Sequence, residues 1–113
     1  MEGETDVLLE GALFRNGAFT EVNFTPRVGD AASGWSTWDT LEAATPPGGK
    51  AQVIDVSRFI NLKAEPNGPD GHYGIFPKGI NMQEWISTRG ATVPHELTRE
   101  LMNARTHEVR RPK

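Results

Sequence analysis

At 113 residues the chain is long enough for one modest hydrophobic core and too short for two. With 36% hydrophobic and 24% charged residues, the composition is typical of a globular domain and excludes a largely disordered one. The absence of cysteine excludes disulfides, thiolate nucleophiles and sulfur-ligated metals, and a net charge of −3 argues against general affinity for nucleic-acid backbones.

The first predicted element is a β-hairpin. Apolar residues over 7–14 indicate a first strand with a glycine break, Asn16-Gly17 is a strong hairpin-turn signal, and 18–24 is the expected return strand. Arg15 lies at the end of the first strand. It is either an ordinary surface arginine or a guanidinium directed at a phosphate or carboxylate.

The segment 33–39 brings a glycine, two indoles, hydroxyl groups and a carboxylate close together. Ser36 followed by Asp39 matches a helix-capping pattern and predicts a helix over 37–44. The free N–H groups of a helix start between two aromatic rings suit an anionic ligand with a flat ring, such as a dinucleotide. The alternative is a simple N-cap whose tryptophans belong to the core.

Three extended segments follow a break rich in proline and glycine. Residues 51–56 predict a strand rich in β-branched side chains, 59–64 a shorter extended run, and 72–77 another strand after a dense turn signal. Asp55 lies inside an apolar run, so we expect its carboxylate to have a partner, either Arg58 or the backbone.

Two helices complete the predicted order. Residues 80–89 fit a helix capped by Asn81, and Pro94 opens a last helix that ends near Ala104. The side chains expected to be buried are Met82, Trp85 and Ile86 in the first helix, and Leu97, Leu101 and Ala104 in the second. This order predicts a single α+β domain over 1–113, with a small, mostly antiparallel sheet and two to three short helices.

The charge is unevenly distributed along the chain. Residues 1–70 carry 11 acidic and 5 basic side chains, whereas residues 71–113 carry 4 and 7. Four of these bases lie in 105–113, which we expect to be a solvated basic tail, with a nucleic-acid contact as the alternative. We expect residues 1–6 to be disordered.

No apolar run approaches the roughly 20 residues that a membrane helix needs. The acidic N-terminus also lacks the basic-then-apolar shape of a signal peptide. We therefore expect no membrane partner, and a protein that either stays where it is made or travels as part of something larger.

The sequence contains no phosphate-binding loop, dinucleotide fingerprint or Gly-x-Ser-x-Gly elbow. His72, His95 and His107 lack metal-ligand spacing, so we expect no metal site. The remaining side chains suit ADP-ribosyl transfer from NAD, or metal-free RNA cleavage with His72 as base or acid. A third interpretation is a non-enzymatic module that docks a protein partner through exposed tryptophans.

ADP-ribosyl transfer needs a cation for the phosphates, small hydroxyls on the pocket floor, an aromatic ring for the nicotinamide and usually a glutamate at the ribose. The candidates for the first three roles are Arg15, then Ser36 with Thr37, then Trp35, Trp38 or Tyr73. The candidates for the glutamate are Glu42, Glu84 and Glu96.

The chain resembles the C-terminal toxin domains of bacterial polymorphic toxins, including Rhs-repeat proteins. The motifs that carry this resemblance are Leu13-Phe14-Arg15, Gly34-Trp35-Ser36-Thr37-Trp38-Asp39, Gly71-His72-Tyr73-Gly74-Ile75-Phe76-Pro77, Thr88-Arg89-Gly90 and His95-Glu96-Leu97-Thr98. A more distant similarity is to a small type VI secretion effector with an ADP-ribosyltransferase-like fold.

The resemblance implies two antiparallel sheets that grip NAD, in an effector that is secreted or delivered into the cytoplasm of a target cell. In the cytoplasm of the producer, a small immunity protein neutralises it. In this interpretation Arg15 holds the phosphates or the nicotinamide ribose, and Ser36 and Thr37 shape the pocket floor. Trp38 or Tyr73 stacks on the nicotinamide, with Trp35 close by, and His72 positions the ribose hydroxyls. We expect the immunity protein to plug the cleft.

Overall fold

The structure, a computed structural model, describes residues 11–25, 34–79 and 92–113. Its strands are β1 (Ala12–Asn16), β2 (Trp35–Trp38), β3 (Lys50–Asp55), β4 (Leu62–Pro66), β5 (His72–Pro77) and β6 (Arg105–Arg110). Its α-helices are α1 (Leu41–Ala44) and α2 (Thr92–Asn103), and a 3₁₀ helix spans Val56–Arg58.

The strands form one six-stranded sheet in the order β4-β5-β2-β1-β3-β6, and every neighbouring pair is antiparallel. The prediction of a small α+β domain with an antiparallel sheet is therefore confirmed. The resemblance implied two sheets, whereas the strands of the described residues join in one.

The hydrophobic core lies on one face of this sheet. In the strand register Leu13 is opposite Ile54 and Trp35 is opposite Ile75, so these four side chains share a face. Helix α2 covers that face and is confirmed close to its predicted bounds. The buried core consists of Leu13, Phe24, Trp35, Ile54, Leu62, Ile75, Leu97, Leu101 and Ala104.

The predicted hairpin is half right. Asn16 ends β1 and Gly17 turns the chain with φ of 102°, but the return strand predicted over 18–24 does not form. Residues 20–25 instead form turns closed by the Asn23 side chain, which donates to the Ala18 carbonyl at 2.8 Å. Neighbours of β1 in the sheet are β2 and β3, so the place of the expected return strand is taken by β3.

The helix predicted over 37–44 is wrong in its first half. Trp35–Trp38 is a strand, in which buried and more exposed side chains alternate, and helix α1 begins only at Leu41. Its N-cap is Thr40, whose hydroxyl accepts from the Ala43 N–H at 3.2 Å, in place of the predicted Ser36.

The strands predicted from β-branched residues and turn signals are confirmed in β3 and β5. Asp55 at the end of β3 has both expected partners. Its carboxylate accepts from the Ser57 N–H at 3.0 Å and lies 3.3 Å from Arg58 Nε. The extended run predicted over 59–64 is shifted, because β4 starts at Leu62 after the 3₁₀ helix.

The residues predicted as a basic tail mostly belong to the sheet. Arg105–Arg110 form β6, an edge strand that pairs with β3 from Lys50 to Ile54. The helix predicted over 80–89, its cap and buried residues, and the disorder predicted for residues 1–6, all lie outside the described residues.

Candidate functional site

Strand β2 separates two sets of the candidate residues by its alternation. Trp35 and Thr37 point to the core face and are fully buried, whereas Ser36 is exposed and Trp38 half-buried on the other face. The Thr37 hydroxyl donates to the carbonyl of Tyr73, opposite it on β5, at 2.8 Å. The Tyr73 side chain packs against the core cluster as well.

The outward face of β2 and β5 carries a serine–histidine pair. Ser36 Oγ lies 2.6 Å from Nε2 of His72, and the imidazole is only 8% exposed. The indole of Trp38 meets that imidazole edge to face, with ring centroids 4.6 Å apart at 73°. The register explains the grouping, since His72 is opposite Trp38 and Gly74 is opposite Ser36.

The second ring nitrogen of His72 fixes the tautomer. Nδ1 lies 2.5 Å from the backbone carbonyl of Asn67. A carbonyl oxygen only accepts hydrogen bonds, so Nδ1 carries the proton. In the neutral imidazole Nε2 is then the acceptor, and the hydroxyl of Ser36 donates to it.

The turn before β5 holds the Asn67 carbonyl in place. The Asn67 N–H donates to the His72 carbonyl and the His72 N–H donates to the Pro69 carbonyl, both at 3.0 Å. Gly71 adopts φ of 87°, and its carbonyl accepts from the Asp39 N–H at 2.9 Å, which ties the turn to the end of β2. The acceptor for Nδ1 is therefore set by the backbone of a tight turn.

Arg15 sits where β1 and β2 diverge beyond the pair Phe14–Trp38. Its Nη1 donates to the Ser36 carbonyl at 2.9 Å, and both Nε and Nη2 donate to the Asn23 carbonyl, at 3.1 and 2.6 Å. The guanidinium carbon also lies 5.7 Å from the centre of the Phe24 ring. Arg15 thus connects β2 to the turn segment that follows β1.

A cleft of about 420 Å³ opens at this divergence. Its lining residues are Arg15, Asn16, Asn23, Ser36, Trp38, Ala43 and Ala44. Arg15, Ser36 and Trp38 therefore line one concavity, of a size typical of small-molecule sites. A second cavity of about 330 Å³ is formed by the turn and strand start at 66–73.

The structure therefore brings together four of the candidate residues and separates three. Arg15, Ser36 and Trp38 line the cleft, and His72 reaches it through Ser36. The side chains of Trp35, Thr37 and Tyr73 are directed into or against the core.

Two positions that sequence reasoning missed complete the site. Asn67 contributes a backbone carbonyl, for which the only available signal was the turn character of its segment. Asn23 contributes a backbone carbonyl that accepts from Arg15. Its role was missed because apolar and polar residues alternate over 18–24 as they do in a strand.

A separate polar cluster lies on the core side of β3 and β6. The buried amide of Gln52 donates to Glu108 at 3.0 Å and accepts from Arg105 Nε at 3.0 Å. The hydrogen bond from Gln52 holds the pKa of the Glu108 carboxyl below its ordinary value, and the charges of Lys50, Arg110 and Arg105 act in the same direction.

Comparison with known proteins gives no matching family model, no matching curated protein and no matching solved structure. Within 11–25, 34–79 and 92–113, no helix has the length and apolar character needed to cross a membrane. In the same ranges no three His, Asp or Glu side chains are grouped as metal ligands. The resemblance to toxin domains rests on the motifs quoted above.

Proposed function

We propose that this chain is the toxin domain of a bacterial effector and that it acts as an NAD-dependent enzyme of the ADP-ribosyltransferase type. The observation that carries this proposal is the convergence of Arg15, Ser36 and Trp38 on one cleft, with His72 bonded to Ser36. Three of the motifs quoted for the resemblance, which are far apart in the sequence, supply these four residues.

The cleft fits the nicotinamide riboside half of NAD in its chemistry. The half-buried indole of Trp38 offers a face for a flat aromatic ring. The exposed Ser36 hydroxyl offers a hydrogen bond to a ribose hydroxyl, and His72 holds that hydroxyl in one orientation. NAD supplies a ribosyl group that becomes transferable when its bond to nicotinamide breaks.

Arg15 has a double role in this proposal. Its donors hold the carbonyls of Ser36 and Asn23, so it shapes the cleft wall, and its positive charge at that wall attracts the phosphates. Thr37 acts through the backbone, since its hydroxyl bond to the Tyr73 carbonyl joins β2 to β5 on the buried face.

Of the three candidate glutamates, Glu42 has the most support. It lies on α1, the helix that contributes Ala43 and Ala44 to the cleft. Glu96 is on α2, which covers the opposite face of the sheet, and Glu84 lies outside the described residues. We therefore assign the ribose-binding carboxylate to Glu42.

The other two interpretations have less support. Metal-free RNA cleavage needs a second acid–base group beside His72, but the groups bonded to its ring nitrogens are the Ser36 hydroxyl and the Asn67 backbone carbonyl. A docking module needs exposed indoles, but Trp35 is fully buried and Trp38 packs on His72.

The partner and the site of action follow from the same proposal. The effector is delivered into the cytoplasm of a target cell, and a cognate immunity protein protects the producer by filling the cleft. Co-expression of that protein should restore growth and should block NAD from stabilising the toxin domain.

The test is NAD consumption by the purified protein, followed as nicotinamide release by chromatography. We expect Ser36→Ala and Glu42→Gln each to lower the rate of nicotinamide release about 100-fold, since each variant lacks a side-chain group that is proposed to bind the reacting ribose. Ser57→Ala is the matched control, because Ser57 bonds to Asp55 on another part of the fold and should retain the rate. Bacteria that express the wild type should accumulate a ribose-phosphate adduct detectable by mass spectrometry. A protein that arrests growth without consuming NAD would contradict the proposal.

A further inference from the structure

We propose that Ser36 is an activated nucleophile that takes up the acyl group of a small carboxylic ester, with His72 as its general base. This activity goes beyond the proposed use of NAD and does not depend on it. The contacts of the Ser36 hydroxyl and of the two ring nitrogens of His72 support it.

The first step is the contact between nucleophile and base. Ser36 Oγ lies 2.6 Å from His72 Nε2, within the range in which a hydroxyl passes its proton to an imidazole. Since Nδ1 carries the ring proton, Nε2 is the nitrogen with a free lone pair and receives the serine proton.

The second step is the group that orients the base. In serine hydrolases a third group accepts a hydrogen bond from Nδ1–H and holds the imidazole in the productive tautomer. Here the Asn67 carbonyl fills that position at 2.5 Å, and the two backbone bonds between Asn67, Pro69 and His72 fix its location. The carbonyl dipole stabilises the imidazolium that forms when Nε2 is protonated.

A nucleophile must also be accessible to its substrate while its base is held in place. His72 is only 8% exposed, and the indole of Trp38 packs edge to face against its ring, so the imidazole is held in place. Ser36 is exposed and lines the cleft of about 420 Å³. Gly74, opposite Ser36 on β5, has no side chain to obstruct the approach of an electrophile.

The surroundings of Ser36 select the substrate class. An apolar acyl group packs against the indole of Trp38 and the methyl groups of Ala43 and Ala44. The guanidinium of Arg15 binds the Ser36 backbone carbonyl at 2.9 Å, and both residues line the cleft. Positive charge at the wall of a cleft favours the oxyanion that develops on an ester carbonyl bound there.

The chemistry balances with water as the only co-reactant. Ser36 Oγ forms a bond to the acyl carbon while its proton moves to His72 Nε2. The ester C–O bond then breaks, and the leaving alcohol takes the proton from Nε2. A water molecule next attacks the acyl-serine and gives its proton to Nε2, which returns it to Ser36 Oγ as the carboxylic acid leaves. The net reaction converts an ester and water into an acid and an alcohol.

The first experiment uses a fluorophosphonate probe without NAD, followed by mass spectrometry that resolves the modified residue. We expect a phosphonyl adduct on Ser36 and none on Ser57, an exposed serine whose hydroxyl donates to the Asp55 carboxylate at 2.6 Å. His72→Gln should lower the labelling rate about 100-fold. Absence of an adduct on Ser36, or equal labelling of both serines, would overturn the proposal.

The second experiment remains decisive if His72→Gln fails to fold, because it keeps the histidine. Cysteine replaces each serine in turn, as Ser36→Cys and Ser57→Cys, and iodoacetamide reports thiolate character near neutral pH. We expect Ser36→Cys to react about tenfold faster than Ser57→Cys, since only the former lies beside an imidazole base. Equal rates would overturn the proposal.

Turnover is tested with p-nitrophenyl acetate. The wild type should release p-nitrophenol above background, Ser57→Ala should match it, and Ser36→Ala should fall to background. Hydrolysis that persists in Ser36→Ala would assign the activity to another group and refute the role of Ser36. Because NAD is absent throughout, a failure here is separate from a failure of the proposed NAD activity.

Discussion

Arg15 holds the backbone carbonyl of Asn23 with two of its nitrogens, at 3.1 Å from Nε and 2.6 Å from Nη2. A third nitrogen holds the Ser36 carbonyl, so one guanidinium joins β2 to the segment that follows β1. Its position at a strand end is typical of either an ordinary surface arginine or a guanidinium directed at a phosphate or carboxylate. The contacts indicate a residue that supports the cleft wall.

We therefore expect Arg15→Ala to lower the free energy of unfolding as well as any activity. Hydrogen bonds from a charged donor contribute about 1.5–3 kcal/mol, and the two carbonyls lose their partner. Urea denaturation measures the loss. Arg58→Ala is the matched control, because Arg58 is exposed and its ion pair with Asp55 is worth little. Arg15→Lys should not restore the free energy of unfolding, since an ammonium group lacks the several N–H donors in fixed positions that a guanidinium offers. Equal midpoints for the two alanine variants would contradict the assignment.

Gly34 allows the chain to enter β2. Its φ is 72°, and a Cβ at this position would lie 2.6 Å from the Ile75 carbonyl oxygen. Gly79→Ala is a matched control, because Gly79 has φ of 77° and no atom of the described residues lies within 4 Å of the added Cβ. We expect Gly34→Ala to cost about 1–3 kcal/mol more than Gly79→Ala, since it adds overpacking to the same backbone strain. Similar losses of unfolding free energy for the two variants in urea denaturation would contradict the prediction and would show that the Ile75 backbone can move to accommodate the added Cβ.

The two tryptophans of β2 should respond differently to truncation. Trp35 is fully buried in the core, so Trp35→Ala should cost about 3–5 kcal/mol and lower the melting temperature strongly. Trp38→Ala removes a half-buried cleft wall and should cost less stability while weakening ligand binding. Differential scanning calorimetry and a ligand titration separate the two effects. A larger stability loss for Trp38→Ala would reverse our assignment of the two faces.

Glu108 should contribute to the acid limb of the stability curve. Its pKa in the folded protein lies below the ordinary 4.5, chiefly because Gln52 donates to the ionised carboxylate. Between the folded and unfolded pKa values the unfolded chain binds more protons, so stability rises with pH. The contribution is therefore present above about pH 4.5 and lost as pH falls through the folded pKa. Glu108→Gln should flatten this part of the curve, and parallel acid limbs for variant and wild type would contradict the prediction.

The parts of the fold that sequence reasoning predicted are those with strong local signals. The β-branched run in β3, the turn before β5 and the apolar period of α2 each specify one local structure. The partners of Asp55 also followed from a local rule about carboxylates in apolar runs.

The secondary-structure predictions were wrong where the local sequence fits more than one structure and long-range contacts decide which one forms. Ser36 and Asp39 match a capping box, but the Asp39 N–H is bonded to the Gly71 carbonyl and β2 pairs with β5. Residues 18–24 alternate like a strand, but Phe24 is fully buried under a turn while Val22 is 72% exposed. In both cases tertiary pairing overrode the local pattern.

The same limit applies to the site. Residue types predicted Arg15, Ser36, Trp38 and His72 as candidates, and the structure brings these four together. The face of the sheet that each side chain occupies depends on strand register. The sequence alone therefore could not show that Trp35, Thr37 and Tyr73 face the core and not the cleft. The Asn67 carbonyl is backbone, and its role follows from no residue type.

Because Ser36 and His72 belong to adjacent antiparallel strands, their contact exists in a single alignment of β2 with β5. A slip of one residue would turn the imidazole to the core face of the sheet and would move Tyr73 and Ile75 to the outward face. The reactivity that we propose for the Ser36 hydroxyl therefore depends on this alignment, and its measurement would report whether β2 and β5 have paired correctly.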